Sequence, residues 1–390
     1  MSWAAGAALL AWLVMLFGRG MFWLGRENDT APAPESAAWP AVTILVPARD
    51  EAPTIGTVVR ALLAQDYPGE ITLWVVDDRS SDGTGDLARA AGNLAGSAGG
   101  DLAGSAGGDA RLGVVTGGPR PPGWTGKLWA LQQGLDAARP TTPYLLFTDA
   151  DIAHAPDSLR RLVARAEAHG LALTSLMAKL RCESQAEKWF IPAFIYFFQM
   201  LYPFAWANDP RARTAAAAGG CVLLRRDAFE AAGGLASIRG AMIDDCSLAR
   251  LIKRAGGKTW LGLTERVVSL RECPDITPIR RMVARTAYAQ LRYSPILLLA
   301  MIAALGFIFL LPPWLTIFGN GDQKMLGGLA WAAMAGSFAP TLRRYRLGLW
   351  RGATLPVIAL FYMAFTVESA VQQHRGRGGM WKGEPGPAPL

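Results

Sequence analysis

Between residues 41 and 180 the chain alternates two kinds of apolar pattern. Short runs rich in branched residues stand at Val42–Val46, Ile71–Val76, Gly113–Thr116, Tyr144–Phe147 and Leu171–Leu176, and they read as strands. The stretches between them, at 54–65, 82–92, 127–138 and 156–169, read as helices. This alternation predicts βαβ units, an α/β fold with a mostly parallel sheet flanked by helices. Sheets of that kind bind ligands beyond the carboxyl ends of their strands, so the residues following each strand come first in the search for chemistry.

The two ends of the chain follow another rule. Ser2 to Gly18 carries no charge, Arg19 interrupts, and Met21–Leu24 is apolar again. A signal peptide would need a basic start and a small-x-small cleavage site, and neither is there. Residues 1–25 are therefore expected to be a membrane anchor, followed by a polar Pro/Ala linker at 26–40. Pro295–Phe318 holds 24 uncharged residues, and Met325–Leu342 and Gly352–Val367 are shorter uncharged runs, so 295–371 is expected to be a transmembrane region and 372–390 a polar tail. Arg343, Arg344, Arg346 and Arg351 mark a cytoplasmic loop between the last two runs, and the last run is either a span or an interfacial segment.

Trp189–Asn208 is also long and apolar. Crossing there would put the acidic residues at 149–151 and 244–245 on opposite sides of the bilayer. The run is thus expected to lie as an interfacial helix, with a buried core helix as the alternative. The octapeptide LAGSAGGD occurs twice in succession, at Leu94–Asp101 and Leu102–Asp109, and 93–110 reads as a flexible surface insertion.

Composition agrees with a membrane protein: 51% of residues are hydrophobic and only 18% charged, against about 25% in a usual soluble domain. The net charge of +8 suits an anionic membrane face or a phosphate-bearing substrate. No Lys/Arg run is interleaved with aromatics, which argues against nucleic acid. Cys182, Cys221, Cys246 and Cys273 contain no CxxC pair and read as reduced thiols of a cytoplasmic domain.

Acidic residues collect at the predicted strand ends. Pro47-Ala48-Arg49-Asp50-Glu51 follows the first strand and Asp77-Asp78 the second. Adjacent carboxylates repel and need a donor or a cation nearby. Asp149 and Asp151 follow the fourth strand; in an extended chain they project the same way and offer two hard oxygen ligands to Mg2+ or Mn2+. Gly123-Trp124-Thr125-Gly126-Lys127 opens a helix where Lys127 can meet a phosphate. Asp244 and Asp245 open another helix, where one of them can serve as a general base. His154 is within reach of a metal but is expected at the surface.

Taken in order, these pieces, with Gln65-Asp66-Tyr67-Pro68 and Arg79-Ser80-Ser81-Asp82-Gly83-Thr84, resemble the family 2 glycosyltransferases of the GT-A fold over residues 40–294. The Gly-Trp-Thr-Gly-Lys piece and the C-terminal apolar helices look most like the hopanoid-biosynthesis-associated members. The resemblance implies a nucleotide-diphospho-sugar transferase with N-terminal and C-terminal transmembrane helices, multi-pass in the inner (plasma) membrane, its catalytic domain cytoplasmic. It implies an inverting transfer from a nucleotide-diphospho-sugar, a UDP-sugar, to a lipid hydroxyl. Pro47, Ala48, Arg49, Glu51, Asp77, Asp78, Lys127 and Asp149 would bind the donor. Asp149 and Asp151 would hold Mg2+ or Mn2+, and Asp245, beside Asp244, would be the base. Processive members carry Gln-x-x-Arg-Trp; here Gln290-Leu291-Arg292-Tyr293 is one residue short and ends in Tyr, which weakens a polysaccharide-synthase reading and leaves Gln290, Arg292 and Tyr293 for the acceptor and diphosphate side. A catalytically silent sugar-nucleotide-binding scaffold is the third alternative.

Overall fold

The computed structural model describes residues 2–32, 38–98 and 108–379. An N-terminal helix, α1 (Ser2–Phe17), precedes the sheet domain. There the strands are β1 (Val42–Ala48), β2 (Ile71–Asp77), β3 (Leu112–Thr116), β4 (Tyr144–Thr148), β5 (Ile152–His154), β6 (Leu173–Lys179), β7 (Cys221–Arg225) and β8 (Thr259–Ser269). The helices between them are α2 (Ala52–Leu63), α3 (Thr84–Ala98), α4 (Gly126–Ala138), α5 (Ser158–His169), α6 (Gln185–Leu201), α7 (Phe204–Asn208), α8 (Arg226–Ala231) and α9 (Asp244–Arg254). After the sheet come α10 (Ile276–Gln290), α11 (Pro295–Leu305), α12 (Leu311–Phe318), α13 (Asp322–Arg344) and α14 (Leu355–His374).

The strands form one sheet in the order β3-β2-β1-β4-β7-β6-β8-β5. β1, β2, β3 and β4 pair in parallel, and every residue of β1 is buried, as a central strand covered on both faces must be. The expectation of a mostly parallel sheet is corrected here: β7 runs antiparallel between β4 and β6, and β5 runs antiparallel to β8, so the sheet is mixed. β8 serves two partners, pairing with β6 along its first half and with β5 along its last three residues. What matters for the site is that β1, β2 and β4 all end on one edge.

The N-terminal anchor is also corrected. Gly18 and Gly20, the latter at φ 61°, stop α1 after 16 residues, about 24 Å of helix, short of the roughly 30 Å of a hydrocarbon core. α1 packs along α13, burying Ala5, Ala8 and Trp12. The segment after it is no free linker: Asn28 bridges to Leu263 of β8, and Asp29 is buried against Thr264. α3 continues through Leu94–Ala98, because Leu and Ala are strong helix formers, so the first octapeptide copy begins as helix; 99–107 lies outside the described residues.

Three C-terminal helices, Pro295–Phe318, Asp322–Arg344 and Leu349–His374, are long and apolar enough to cross a membrane. The first contains a π-helical turn, Gly306–Leu310, just before Pro312. Proline has no N–H, so the carbonyl four residues back, Ile308, loses its helical donor. Trp12 Nε1 supplies one at 2.8 Å, tying α1 to the break. The run Trp189–Asn208 is interrupted at Tyr202-Pro203, and α6 buries Phe190, Ile191, Ile195 and Tyr196 between the sheet domain and the helices. Tyr196 Oη meets Ser337 Oγ of α13 at 2.7 Å, and Tyr362 Oη of α14 donates to the Phe190 carbonyl at 2.8 Å.

Replacing Trp12 by Phe keeps an aromatic ring and removes the donor, leaving a half-buried carbonyl without its partner at a cost of about 1 kcal/mol. The W12F chain should show a lower melting temperature with its secondary structure intact; an unchanged melting temperature would mean that the bond does not hold α1.

Candidate active site

The ends of β1 and β2 are stitched together by their own polar residues. Pro47 and Ala48 complete β1, Asp50 turns the chain at φ 48°, and its N–H donates to Ser80 Oγ at 3.0 Å. The Glu51 N–H donates to Thr84 Oγ1 at 2.9 Å and the Ala52 N–H to Asp82 Oδ2 at 2.9 Å. The adjacent carboxylates separate their tasks. Asp77 accepts from the Ser80 N–H at 3.1 Å, while Asp78, buried, faces Arg49 at 3.2 Å and Arg79 at 3.5 Å. The donor that two neighbouring acids need thus comes from the loops themselves.

Beyond β4, Asp149-Ala150-Asp151 forms a turn into β5 rather than a continued strand, so the extended projection expected of the two acids is replaced by two different cationic partners. Lys127 Nζ lies 2.6 Å from Asp149 and 3.4 Å from Asp244, and Arg271 reaches Asp151 at 2.7 Å and Glu51 at 2.6 Å. Burial opposes the charge of Lys127, but Asp149 and Asp244 outweigh it and hold the ammonium well above its ordinary range. Arg271 is held charged in the same way by Asp151 and Glu51 against burial.

Asp244 and Asp245 begin α9, whose first-turn N–H groups favour negative charge. Asp245 accepts from the Gly219 N–H at 2.8 Å and the Cys246 N–H at 2.7 Å. Burial, and then the neighbouring Asp244, push its pKa up to about 6 against the pull of Lys127. Gly219 lets both groups come close: a Cβ there would lie 3.0 Å from Lys127 Nζ and 3.4 Å from Asp245 Oδ2, tight enough to displace one of them.

Pro47, Glu51, Lys127, Asp149, Asp151 and Asp245 line one cavity of about 1080 Å³. Ala48, Arg49, Asp77 and Asp78 stand beside it at the ends of β1 and β2, and Asp244 borders it through Lys127. Gln290, Arg292 and Tyr293 are not brought in. Gln290 accepts from Tyr202 Oη at 2.7 Å, and Arg292 and Tyr293, at φ 51° and 56°, form the turn from α10 to α11. Instead Arg281 and Arg285 of α10, with Arg375 and Arg377 beyond α14, line the cavity's outer end. These four and Arg271 escape a reading of strand ends, since Arg271 is signalled only once β8 is recognised as a strand.

His154 corrects its surface placement. It is buried under the Asp149–Asp151 turn, bonded to Thr148 Oγ1 at 2.8 Å and Ser158 Oγ at 3.2 Å, and burial lowers its pKa to about 4. A neutral imidazole spent on two hydroxyls is a structural residue. The four cysteines are free thiols, three of them buried.

No three Asp, Glu, His or Cys side chains gather into a metal site among the described residues. Mg2+ and Mn2+ commonly take only one or two carboxylates and fill the rest from substrate phosphate and water. Asp149 and Asp151, both facing the cavity, fit that donor set.

Residues 43–233 match the family model described as Glycosyl transferase family 2, a span that holds Arg49, Asp78, Lys127, Asp149 and Asp151 and stops before Asp244. Comparison with curated proteins gave no match. Among solved structures the chain is similar to a mannosyltransferase from Pyrobaculum calidifontis in complex with GDP-Man and Mn2+, at 21% identity, 98% of this chain, 99% of that chain and TM-score 0.57. It is similar at lower score to glucosyl-3-phosphoglycerate synthase from Mycobacterium tuberculosis in complex with Mn2+, UDP-Glc and phosphoglyceric acid, at 18% identity, covering 68% of this chain and 87% of that one, with TM-score 0.42. The first likeness shows a shared GT-A-like fold along nearly the whole chain. The chain therefore carries a family 2 glycosyltransferase domain and is a glycosyltransferase.

Proposed function

We propose that the chain moves a sugar from a nucleotide-diphospho-sugar, a UDP-sugar, to a hydroxyl of a membrane lipid, with inversion at the sugar. The observation that carries this reading is the single cavity whose wall joins Asp149, Asp151 and Asp245 to apolar side chains of α6 and α10, such as Ile191, Phe194, Phe198 and Met282. A water-soluble acceptor would not need that wall. The hopanoid-type resemblance of the sequence makes a hopanoid polyol one candidate acceptor.

In this reading the nucleotide rests at the ends of β1 and β2, between Arg49 and Asp78, and its diphosphate faces Asp149, Asp151, Lys127 and Arg271. Asp149 and Asp151 would hold Mg2+ or Mn2+, whose contribution is to offset the negative charge growing on the departing diphosphate. Asp245 takes the proton of the acceptor hydroxyl as its oxygen bonds to the anomeric carbon. The bond from that carbon to the diphosphate oxygen breaks, and its electron pair leaves with the nucleoside diphosphate. Lys127, tied to Asp149 and Asp244, keeps this acidic group charged and in place.

Further contacts support a membrane arrangement. Pro295–Phe318 and Asp322–Arg344 form a hairpin with exposed Ile296, Leu299, Trp314 and Phe318, while Arg344 binds Glu265 of β8 at 3.2 Å on the catalytic side. α14 starts beside the middle of α13, where Trp331 Nε1 donates to the Ala353 carbonyl at 3.0 Å, and its following residues Arg375 and Arg377 line the cavity. These contacts support a reading in which α14 is re-entrant and does not cross, α6 lies at the membrane surface under the catalytic domain, and the domain faces the cytoplasm at the plasma membrane.

Three outcomes are expected. Asp245→Asn should keep nucleotide binding and lose about 10²–10⁴-fold in transfer. Because Asp245 acts ionised and its pKa is raised to about 6, wild-type kcat/KM should fall as pH drops through 6; a profile flat down to ordinary aspartate values would exclude it as the base. Asp151→Asn and EDTA should each abolish metal-dependent turnover, and activity untouched by EDTA would remove the cation from the account. Cysteine introduced at Asp322 should react only from outside the cell, and cysteine at Arg346 or Arg377 only from inside; outside labelling at Arg377 would show that α14 crosses.

A further inference from the structure

The outer end of the cavity carries more positive charge than the donor's diphosphate calls for. Lys127 and Arg271 already stand at the inner end. Arg281 and Arg285, four apart and so on one face of α10, and Arg375 and Arg377, just past the end of α14, line the outer end. Among the described residues these four enter no ion pair, whereas Arg271 is matched by Glu51 and Asp151, Arg181 by Glu183 and Glu272, and Arg280 by Glu368 at 3.7 Å. Among the described residues Glu368, which lines this end, is occupied by Arg280 and by Gln372 Nε2 at 2.8 Å, and Asp275 at the start of α10 acts on Arg281 only at long range, with no ion pair between them. Four guanidinium groups around one opening, none in a close ion pair among the described residues, repel one another, and an anion relieves that repulsion.

Their position says where the anion comes from. α10 and α14 pack together, with the Tyr288 N–H donating to Ser369 Oγ at 3.1 Å, and α10 runs through Ser294 into the membrane hairpin. The arginines thus stand where water meets lipid, above the apolar wall of Ile191, Phe194, Phe198 and Met282. An occupant that satisfies both features has an apolar chain and an anionic head. Guanidinium forks match phosphate oxygens in pairs. We propose that the acceptor is a phosphate-bearing lipid, its phosphate held by Arg281, Arg285, Arg375 and Arg377. This rests on the lipid-glycosyltransferase reading above and narrows it, away from a neutral polyol.

The test is binding by the full chain in neutral detergent, measured by calorimetry with farnesyl phosphate, farnesol and inorganic phosphate. Farnesyl phosphate should bind at least about tenfold more tightly than farnesol, the scale of one charge-assisted hydrogen bond. Inorganic phosphate should compete only weakly, since it lacks the chain; equal binding of the free ion would make the rim a phosphate site without a lipid and overturn the inference. The double variant R281Q/R285Q should erase the preference for the phosphate form, and R281K/R285K should recover part of it. UDP and GDP with Mn2+ should bind wild type and both variants alike. Equal binding of farnesol and farnesyl phosphate would overturn the inference, as would a preference that survives R281Q/R285Q. A loss of nucleotide affinity in that variant would assign the rim to the donor. A variant that loses only its attachment to phosphatidylglycerol vesicles would show that the arginines touch the bilayer and not the acceptor. Failure of wild type to bind either nucleotide would instead sink the glycosyltransferase reading, a separate result.

Discussion

Glu51, Asp149, Asp151, Asp244 and Asp245 come from three different parts of the chain to one place, and like charges that close cannot all stay ionised on their own. Lys127 and Arg271 resolve this. Lys127 reaches across from the start of α4 to bind Asp149 and Asp244, and Arg271 closes β8 onto Asp151 and Glu51. The backbone adapts to these two contacts: Gly219 is bare so that Lys127 and Asp245 can both approach it. The same balance tunes the chemistry. Asp245, farther from a cation than Asp149, is left with burial and Asp244 as its main influences, and its proton affinity rises to where a base can work near neutral pH.

The second dependence is on α6. Its polar first turn is fastened to the catalytic domain by Glu187, which accepts from the Cys273 N–H at 2.7 Å, and its aromatic body is fastened to the apolar helices through Tyr196 and Phe190. One helix therefore contributes to the wall of the cavity and to the core shared with the C-terminal apolar helices. In the proposed reading, a reaction at the cavity is for that reason a reaction at the membrane surface.

The strands that carry the site were readable from their apolar runs, β1 and β4 being buried on both faces and β2 on one: all three start where the pattern predicts and extend only a residue or two further. The acids after them were readable for the same reason. β7 and β8 were not, since β7 is five residues after an alanine-glycine stretch and β8 is interrupted by Thr264, Glu265 and Arg266 where it changes partners. Arg271 stayed invisible with them. Periodicity also cannot say how far an apolar helix continues. The glycines at 18 and 20 stop α1 short of a span, and Tyr202-Pro203 breaks the run that starts at Trp189. The expectation that this run does not cross came from chemistry, from the need to keep 149–151 and 244–245 together, and Asp149, Asp151 and Asp245 do face one cavity.

The central claim is that donor chemistry and lipid meet in this one cavity. A photo-crosslinking amino acid at Phe194, on the apolar wall, would capture the occupant in native membranes, and mass spectrometry of the adduct would identify it. The account predicts a lipid adduct whose head group acquires sugar when labelled nucleotide-sugar is supplied before irradiation. A chain that releases labelled sugar while its captured lipid stays unlabelled, or that captures no lipid there, would contradict it.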